Sequence, residues 1–436
     1  MARDLTCTGL RTSNKIIREG QKIGKVKIIG GAVTKFGKHF DRNMKSLVAE
    51  AVLSALKDAD INKEQLQGAW VGNAAQGVLD GQESIRGQVV LRPLGIGGIP
   101  VVNVENACAS SATALHGAWS MVALGEIDVA LVLGMEKMYF EDRSRVLKAF
   151  MAAMDVETLP QMMEWFKQQE QQVKAAQEAK GEAPKEKSGQ RTIFMDAYAA
   201  AARHHIEQYG TTRRQLAVIA SKNHYHSSMN PLAQYQMTFT VDEVLAAPEV
   251  AWPLTRPMCS PIGDGAAAAI VCSEEFARKI GASHVVDIAA CILGSGEDHR
   301  EGEDSITTKL ARRAYEKVGV GPGDIDVAEV HDATAFGELS ATEQLCFCPV
   351  GEGGPFAEAG HTRLGGKIPF NVSGGLESQG HPVGATGIRQ VMELYWHLTG
   401  QAGQRQVESA KVGLAHNQGG VVAGGEAAIS ITVLTG

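Results

Sequence analysis

Cys108 stands in the run Asn103-Val104-Glu105-Asn106-Ala107-Cys108-Ala109-Ser110-Ser111-Ala112-Thr113-Ala114-Leu115. The apolar residues Ile99 to Val104 predict a buried strand, and the small residues after the cysteine predict a helix packed closely on it. A cysteine on such a strand-to-helix turn faces a helix N-terminus, which lowers the thiol pKa and favours the nucleophilic thiolate. Most free cysteines are inert buried hydrophobes. This one has candidate imidazole partners in His331-Asp332 and in Gly380-His381-Pro382-Val383-Gly384-Ala385-Thr386-Gly387. Cysteine brought against histidine is the arrangement of covalent acyl transfer.

The elements that must position these residues alternate. A strand is expected at Lys25–Gly31, a helix at Met44–Ala59, a strand at Gly68–Gly72, a helix after Cys108 and a strand at Val129–Gly134. Such alternation implies a mostly parallel sheet covered by helices. The order returns late in the chain. Ala69-Trp70-Val71-Gly72-Asn73-Ala74 resembles Ala328-Glu329-Val330-His331-Asp332-Ala333, and Pro100-Val101-Val102-Asn103-Val104 resembles Pro369-Phe370-Asn371-Val372. Each pair follows a helix-like segment, Leu47–Ala59 or Thr307–Val318. An internal duplication follows, with halves of roughly 1–275 and 284–436. Cys108 then belongs to the first half and both histidines to the second, so the site forms at their junction.

Residues 155–192 interrupt the pattern. Gln168 to Lys180 reads as a polar helix of strong helix formers, stopped by Gly181 and Pro184. It shows little apolar face, so a solvated surface arm is expected, with partner docking as the second reading.

At 436 residues the chain is long enough for two domains or one duplicated one. The net charge of −7 argues against a general nucleic-acid binder. Seven irregularly spaced cysteines argue for a reduced, cytoplasmic compartment over a disulfide framework. Cys346 and Cys348 form a CxC pair, a poor metal motif, so no metal is expected. No apolar run reaches membrane-spanning length, and Met1 to Lys15 lacks the apolar stretch of a secretory signal.

Taken together, these motifs resemble the thiolase superfamily, and within it the sterol-carrier-protein type of thiolase, over nearly the whole chain. The resemblance rests on Lys222-Asn223-His224-Tyr225-His226-Ser227 with Asn230-Pro231, and on the stretch from Asp242-Glu243-Val244 to Asp264-Gly265-Ala266-Ala267-Ala268-Ala269. Asn371-Val372-Ser373-Gly374-Gly375, Gly380 to Gly387 and His416-Asn417-Gln418-Gly419-Gly420 complete it. The resemblance reaches the thiolase module alone, and no carrier domain is expected after residue 436. The resemblance implies a five-layered α/β/α/β/α fold of two similar halves and a homodimer joined through a sheet edge. It also implies an acyl-CoA substrate bound through a loop region at about 120–255, with no permanently bound cofactor.

By the same resemblance Cys108 attacks a thioester or 3-oxo carbonyl, and His381 takes its proton. One oxyanion hole uses the backbone N–H of Cys108 and of a glycine in Gly419-Gly420; the other uses His331 and a water. Ser260 matches a serine that contacts the pantetheine arm, and Glu338 a glutamate that orders a water near His331. His224 and His226 are expected to be structural or CoA-adjacent, and Cys259, Cys272 and Cys291 core residues.

One departure is decisive for mechanism. Thiolases of this branch carry a second cysteine in an HDCF motif, where this chain has His331-Asp332-Ala333-Thr334. Others carry it in a CxG motif near the C-terminus, where Asn417 aligns. Both usual places for the acid/base cysteine are empty. His331, a water near Glu338, Asn417 as support, or Cys346 folding back are the candidate replacements. The first functional expectation is thiolase-like acyl transfer on a 3-oxoacyl-CoA, with Ala333 and Thr334 leaving room for a branched or aromatic acyl group. Alternatives are a retro-aldol cleavage of an acyl-CoA side chain or a non-catalytic subunit. A small OB-fold, zinc-ribbon partner protein is expected alongside, given the missing cysteine and the arm at 155–192.

Overall fold

The computed structural model describes residues 24–179, 188–189, 191–298, 302–422 and 425–436. Met1 to Lys15 and the stop signals Gly181 and Pro184 lie outside the described residues. The strands are β1 (Val26–Val33), β2 (Gly68–Gly72), β3 (Val101–Val104), β4 (Val129–Glu136), β5 (Glu249–Ala251), β6 (Leu254–Thr255), β7 (Gly265–Ser273), β8 (Val286–Ser295), β9 (Val327–Glu329), β10 (Val412–Val422) and β11 (Gly425–Thr435). β5 and β6 make a separate small hairpin. The other nine form one sheet in the order β3-β2-β4-β7-β1-β8-β11-β10-β9.

This sheet is two half-sheets meeting at a short antiparallel seam, where β1 and β8 pair only at Lys27↔Asp287 and Ile28↔Val286. The two halves repeat one topology. In the first, β2 runs parallel to both β3 and β4, and β7 runs antiparallel to β4 and β1. In the second, β9 runs parallel to β10 and bridges Phe370 in parallel, while β11 runs antiparallel to β10 and β8. The Phe370 bridge occupies the place of β3, shortened to a single contact.

Helices complete five layers. The helix Met44–Asp58 carries its apolar stripe (Leu47, Val48, Ala51, Val52, Ala55, Leu56) against the outer face of the first half-sheet. Asn43 caps its start by accepting a hydrogen bond from the Ser46 amide. Between the half-sheets lie the nucleophile helix Ser110–Ala123 and the histidine helix Thr386–Leu398. The latter is buried nearly all round, as a central-layer helix must be. The helix Ile306–Val318 covers the outer face of the second half-sheet through Leu310, Ala311 and Ala314.

Two expectations are corrected. The segment Ile99 to Val104 is not a buried strand: β3 is the edge of the sheet, with Val102 40% exposed. A continuous apolar run reads as buried on both faces, but this one gains only a single paired neighbour. The arm at 155–192 is not simply solvated. Its helix begins earlier than expected, at Leu159, and runs to Ala179, burying Phe166. The apolar signal lies in Met162-Met163-Glu164-Trp165-Phe166, just before the polar run that dominates the composition. Among the described residues, no helix is long and apolar enough to cross a membrane.

Candidate active site

Cys108 sits on a single 3-10 turn, Ala107–Ala109, between β3 and the nucleophile helix. The turn is strained, since Ala107 is held at φ +47°. It is fastened by its neighbours. Glu105 accepts the Ala107 amide at 2.7 Å, Ser110 Oγ accepts the Asn106 amide at 2.9 Å, and Ser110 Oγ donates to the Ala107 carbonyl at 2.7 Å. The small residues that follow have a packing reason. A Cβ on Gly387 would lie 2.6 Å from the Ala112 amide, so the two central helices touch there backbone to backbone. That contact brings the histidine helix of the second half over the cysteine of the first.

His381 enters from the loop preceding that helix. Glu136, at the end of β4, ties the loop down by accepting the amides of Ala74, Ala75 and Gly384 and the side-chain amide of Asn73. The imidazole is oriented by its own loop. Thr386 Oγ1 donates to the Pro382 carbonyl at 3.1 Å, so it accepts from His381 Nδ1–H at 2.8 Å. The proton is thereby on Nδ1, and Nε2 is the bare, basic nitrogen. Burial pushes this imidazole down to about 3, with the buried Arg389 guanidinium contributing, so it rests neutral.

His331 follows β9 and packs edge-to-face on His381, with ring centroids 5.2 Å apart. Its tautomer is set by a relay. The His416 carbonyl accepts from Gln390 Nε2 at 3.0 Å, which turns Gln390 Oε1 toward Asn417. Asn417 Nδ2 donates to that oxygen at 3.0 Å and to His331 Nδ1 at 3.3 Å. His331 Nδ1 is therefore an acceptor, and Nε2 carries the proton. Burial first, then the neighbouring His381 and His416, hold the ring well below the usual histidine range.

The Cys108 sulfur and one ring nitrogen each from His331 and His381 lie within 4.8 Å of one another. Cysteine with two histidines is also a zinc donor set. The surroundings do not suit a metal, because a metal-bound histidine donates its other N–H to an acceptor, and His331 Nδ1 faces an amide donor. The arrangement suits a nucleophile with a base on one side and a neutral N–H donor on the other.

The thiol itself corrects an expectation. Burial, with Glu136 and Glu105 adding repulsion, pushes Cys108 up to about 12. The benefit from backbone N–H donation at the turn is smaller than the desolvation cost. Cys108 therefore rests as a thiol at neutral pH. β10 approaches this turn closely: a Cβ on Gly419 would lie 2.8 Å from the Cys108 amide nitrogen and 2.4 Å from the Asn106 carbonyl. Gly420 adopts φ +70° at the next position.

Above the cysteine opens a cavity of about 980 Å³. Ser260, Ala333, Gly419 and Gly420 line it. Its far wall is apolar: Met162, Trp165 and Phe166 of the arm helix face Phe194 and Met195 of the helix Ile193–Tyr209. Four expected residues fall outside this lining, one of them Asn417, whose amide bonds His331. Glu338 is buried in a separate network, ion-paired to Lys222 and accepting from Asn223 and Asn371. Cys346 lies away from the cavity, in a left-handed turn at φ +64°. Thr334 caps the helix Ala335–Gln344 instead of shaping the pocket. Asp332 does not orient His331 either; it accepts from the Leu376 amide and Asn223. His224 and His226 are structural, bonded to Pro257 and Ser378 and to Asn371 and Leu364. Cys259, Cys272 and Cys291 are buried. Residue types alone did not single out Thr386, Gln390, Tyr198 and His416, and the fold brings all four to the site.

Two family models match, "Thiolase, N-terminal domain" over residues 26–244 and "Thiolase C-terminal domain-like" over 299–432. The chain belongs to the thiolase family. An acetyl-CoA acetyltransferase of Methanothermobacter thermautotrophicus is 39% identical over 93% of this chain and 98% of its own. Sterol carrier protein 2 of Bos taurus is 36% identical over 91% of this chain and 70% of its own, which places the chain in the sterol-carrier-protein branch. A benzoylsuccinyl-CoA thiolase subunit of Thauera aromatica is 34% identical over 91% and 95%. Among solved structures, an Ltp2-ChsH2(DUF35) aldolase shares the fold with a TM-score of 0.74 at 23% identity, covering 95% of this chain and 98% of its own. This thiolase is a thiolase-like acyl-CoA acyltransferase. Its relatives do not favour the retro-aldol or non-catalytic readings.

Proposed function

We propose that this thiolase transfers an acyl group through Cys108, cleaving or forming a 3-oxoacyl-CoA. The observation that carries the reading is the clustering of Cys108, His331 and His381 at the floor of the cavity, with opposite tautomers on the two histidines. His381 Nε2 takes the thiol proton as sulfur attacks the carbonyl carbon. The amide of Cys108, with a backbone N–H of the Gly419-Gly420 segment, receives the oxyanion on the acyl being transferred. His331 Nε2–H receives the thioester oxygen of the second acyl-CoA, and Ser260 contacts the pantetheine arm. Donors fixed in advance pay no reorganisation cost when charge develops, and each is worth about 10²–10³ in rate.

The apolar wall of Met162, Trp165, Phe166 and Phe194 supports a branched or aromatic acyl group, with coenzyme A as co-substrate and no resident cofactor. Residues 1–275 and 284–436 would be the two halves of the module. A cytoplasmic homodimer joined at the exposed β3 edge fits the unpaired strand there. A small OB-fold, zinc-ribbon partner is supported by the naming of the Thauera aromatica relative as a subunit. Full activity of the isolated chain would remove the reason for that partner.

The test is intact-mass measurement after incubation with short, branched and aromatic acyl-CoAs, with Cys108→Ala alongside. An adduct confined to the wild type is expected, its mass naming the acyl group. No adduct with any of them refutes acyl transfer through Cys108.

A further inference from the structure

The thiolase lacks a cysteine at both positions where its family keeps the acid/base group, at 333 and 417, yet a further buried imidazole lines the cavity besides those of His205, His331 and His381. His416 lies on β10 beside Asn417 and lines the same cavity as Cys108, His331 and His381. It is 1% exposed, and neither ring nitrogen has a hydrogen-bond partner among the described residues. That is costly: an unpaired buried polar atom forfeits about 1–3 kcal/mol. The other buried histidines at or near the site each have a bonded nitrogen: His205, His224, His226, His331 and His381. His416 is held by its strand, through the Ile431 register, and its carbonyl anchors Gln390, so its place is fixed without its ring being used. A fixed imidazole in the wall of a substrate cavity, with both nitrogens covered and unpaired, gains a partner once substrate binding opens that wall.

We propose that His416 is the catalytic acid/base at the α-carbon, replacing the cysteine absent from both family positions. The proposal rests on the acyl-transfer reading. In the condensing direction His416 takes a proton from C2 of the incoming acyl-CoA. The C–H bond breaks, an N–H bond forms, and the electron pair enters an enolate whose oxygen His331 Nε2–H holds. The enolate carbon attacks acyl-Cys108, the acyl C–S bond breaks, and the departing thiolate recovers its proton from His381, which is resupplied with the one carried by His416. Cleavage runs the same steps backward.

Electrostatics are consistent with this role. Burial alone pushes His416 down to about 4, with no cation pressing on it. The ring is therefore neutral with a free lone pair, and an enolate formed beside it supplies the charge that desolvation had removed. Gln418, two residues on and on the same face of the strand, also lines the cavity; its Nε2 donates to Tyr198 Oη at 3.3 Å, and its Oε1 is unpaired. Alternate residues of β10, His416 and Gln418, thus add polar groups to the lining of a cavity that also holds apolar residues of the arm helix.

The experiment separates α-carbon chemistry from acylation. Wild type, His416→Gln and His416→Phe are incubated with acetyl-CoA in D₂O. Intact mass reads the acyl-Cys108 adduct, and mass spectrometry of recovered acetyl-CoA reads deuterium at C2. The variants are expected to keep the adduct and lose exchange by about 10²–10⁴, the usual value of a placed acid/base. Should the variants prove unstable, His416→Ala with added imidazole provides the readout, with exchange expected to return as imidazole is added. Exchange at the wild-type rate in a His416 variant overturns the proposal, as does loss of adduct and exchange together in a variant that melts like the wild type. Wild type that forms the adduct without exchanging C2 also overturns it. Absence of any adduct in the wild type defeats instead the acyl-transfer reading beneath it.

Discussion

Gly419→Ala is one added methyl group at the closest approach between β10 and the cysteine turn. The new Cβ would lie 2.4 Å from the Asn106 carbonyl, 2.5 Å from the Ala109 amide and 2.8 Å from the Cys108 amide. These are roughly 0.6 to 1.0 Å short of the 3.4 Å at which ordinary contact begins. All three neighbours are backbone, so no side chain can swing away. Either β10 or the turn must move, and β10 is held at this point by its pairing with β11, Gly419 opposite Ala428. The turn therefore yields, carrying the Cys108 N–H off the position where the oxyanion forms. Overpacking of this kind costs about 1–3 kcal/mol in stability. Loss of one oxyanion donor costs about 10²–10³ in turnover, or about 2.7–4 kcal/mol of transition-state binding. The assay is the rate of adduct formation on Cys108 with a saturating acyl-CoA, with thermal unfolding measured in parallel. Gly97→Ala is the control, since its Cβ meets nothing within 4 Å. Acylation by Gly419→Ala within a few-fold of wild type and of Gly97→Ala would refute the assignment of this backbone to the oxyanion hole.

Three further outcomes are expected. Asn417→Asp replaces the donor at His331 Nδ1 with an acceptor and forces the ring into the other tautomer; kcat should fall about 10²–10³ as the second oxyanion site loses its N–H, and wild-type kcat would break the relay argument. Because burial holds Cys108 up at about 12, its inactivation by iodoacetamide should quicken steadily with pH, about tenfold per unit from pH 6 to 9, as the thiolate fraction rises; a plateau near pH 8 would show a thiolate already formed. Lys222→Met strands the Glu338 carboxylate in the core and should cost about 3–5 kcal/mol in chemical denaturation, with Lys222→Met/Glu338→Gln recovering part of it; a loss under 1 kcal/mol would contradict the pairing.

Much of the layering was legible in the chain. β2 has the expected bounds, and the helix Met44–Asp58 differs from expectation only at its last residue, because local alternation and stripe periodicity carry through to these elements. The repeat of Ala69–Ala74 in Ala328–Ala333 was legible too, since equivalent strands of two half-sheets face equivalent layers. Failures came where neighbours distant in sequence decide. Ile99 to Val104 has the composition of a central strand but sits at the edge of the sheet. Glu338 aligned with a site residue, but Lys222, Asn223 and Asn371 hold it in a separate network.

What the sequence by itself determined is the chemistry on offer: a cysteine at a strand-to-helix turn, two histidines in the other half, glycines where backbones meet, and no cysteine at position 333 or 417. These are matters of residue type and order. Only the tertiary structure decided how that chemistry is tuned. The Cys108 thiol is raised because burial outweighs the turn's N–H donation, a balance that depends on what covers the turn. Opposite tautomers on His331 and His381 depend on Asn417, Gln390 and Thr386, and two of those contacts join residues far apart in the chain. His416 became a candidate because the fold buries its ring in the cavity and gives it nothing to bond. Burial and hydrogen-bond partnership are set by packing between segments, so they are properties of the folded chain and not of any stretch of it.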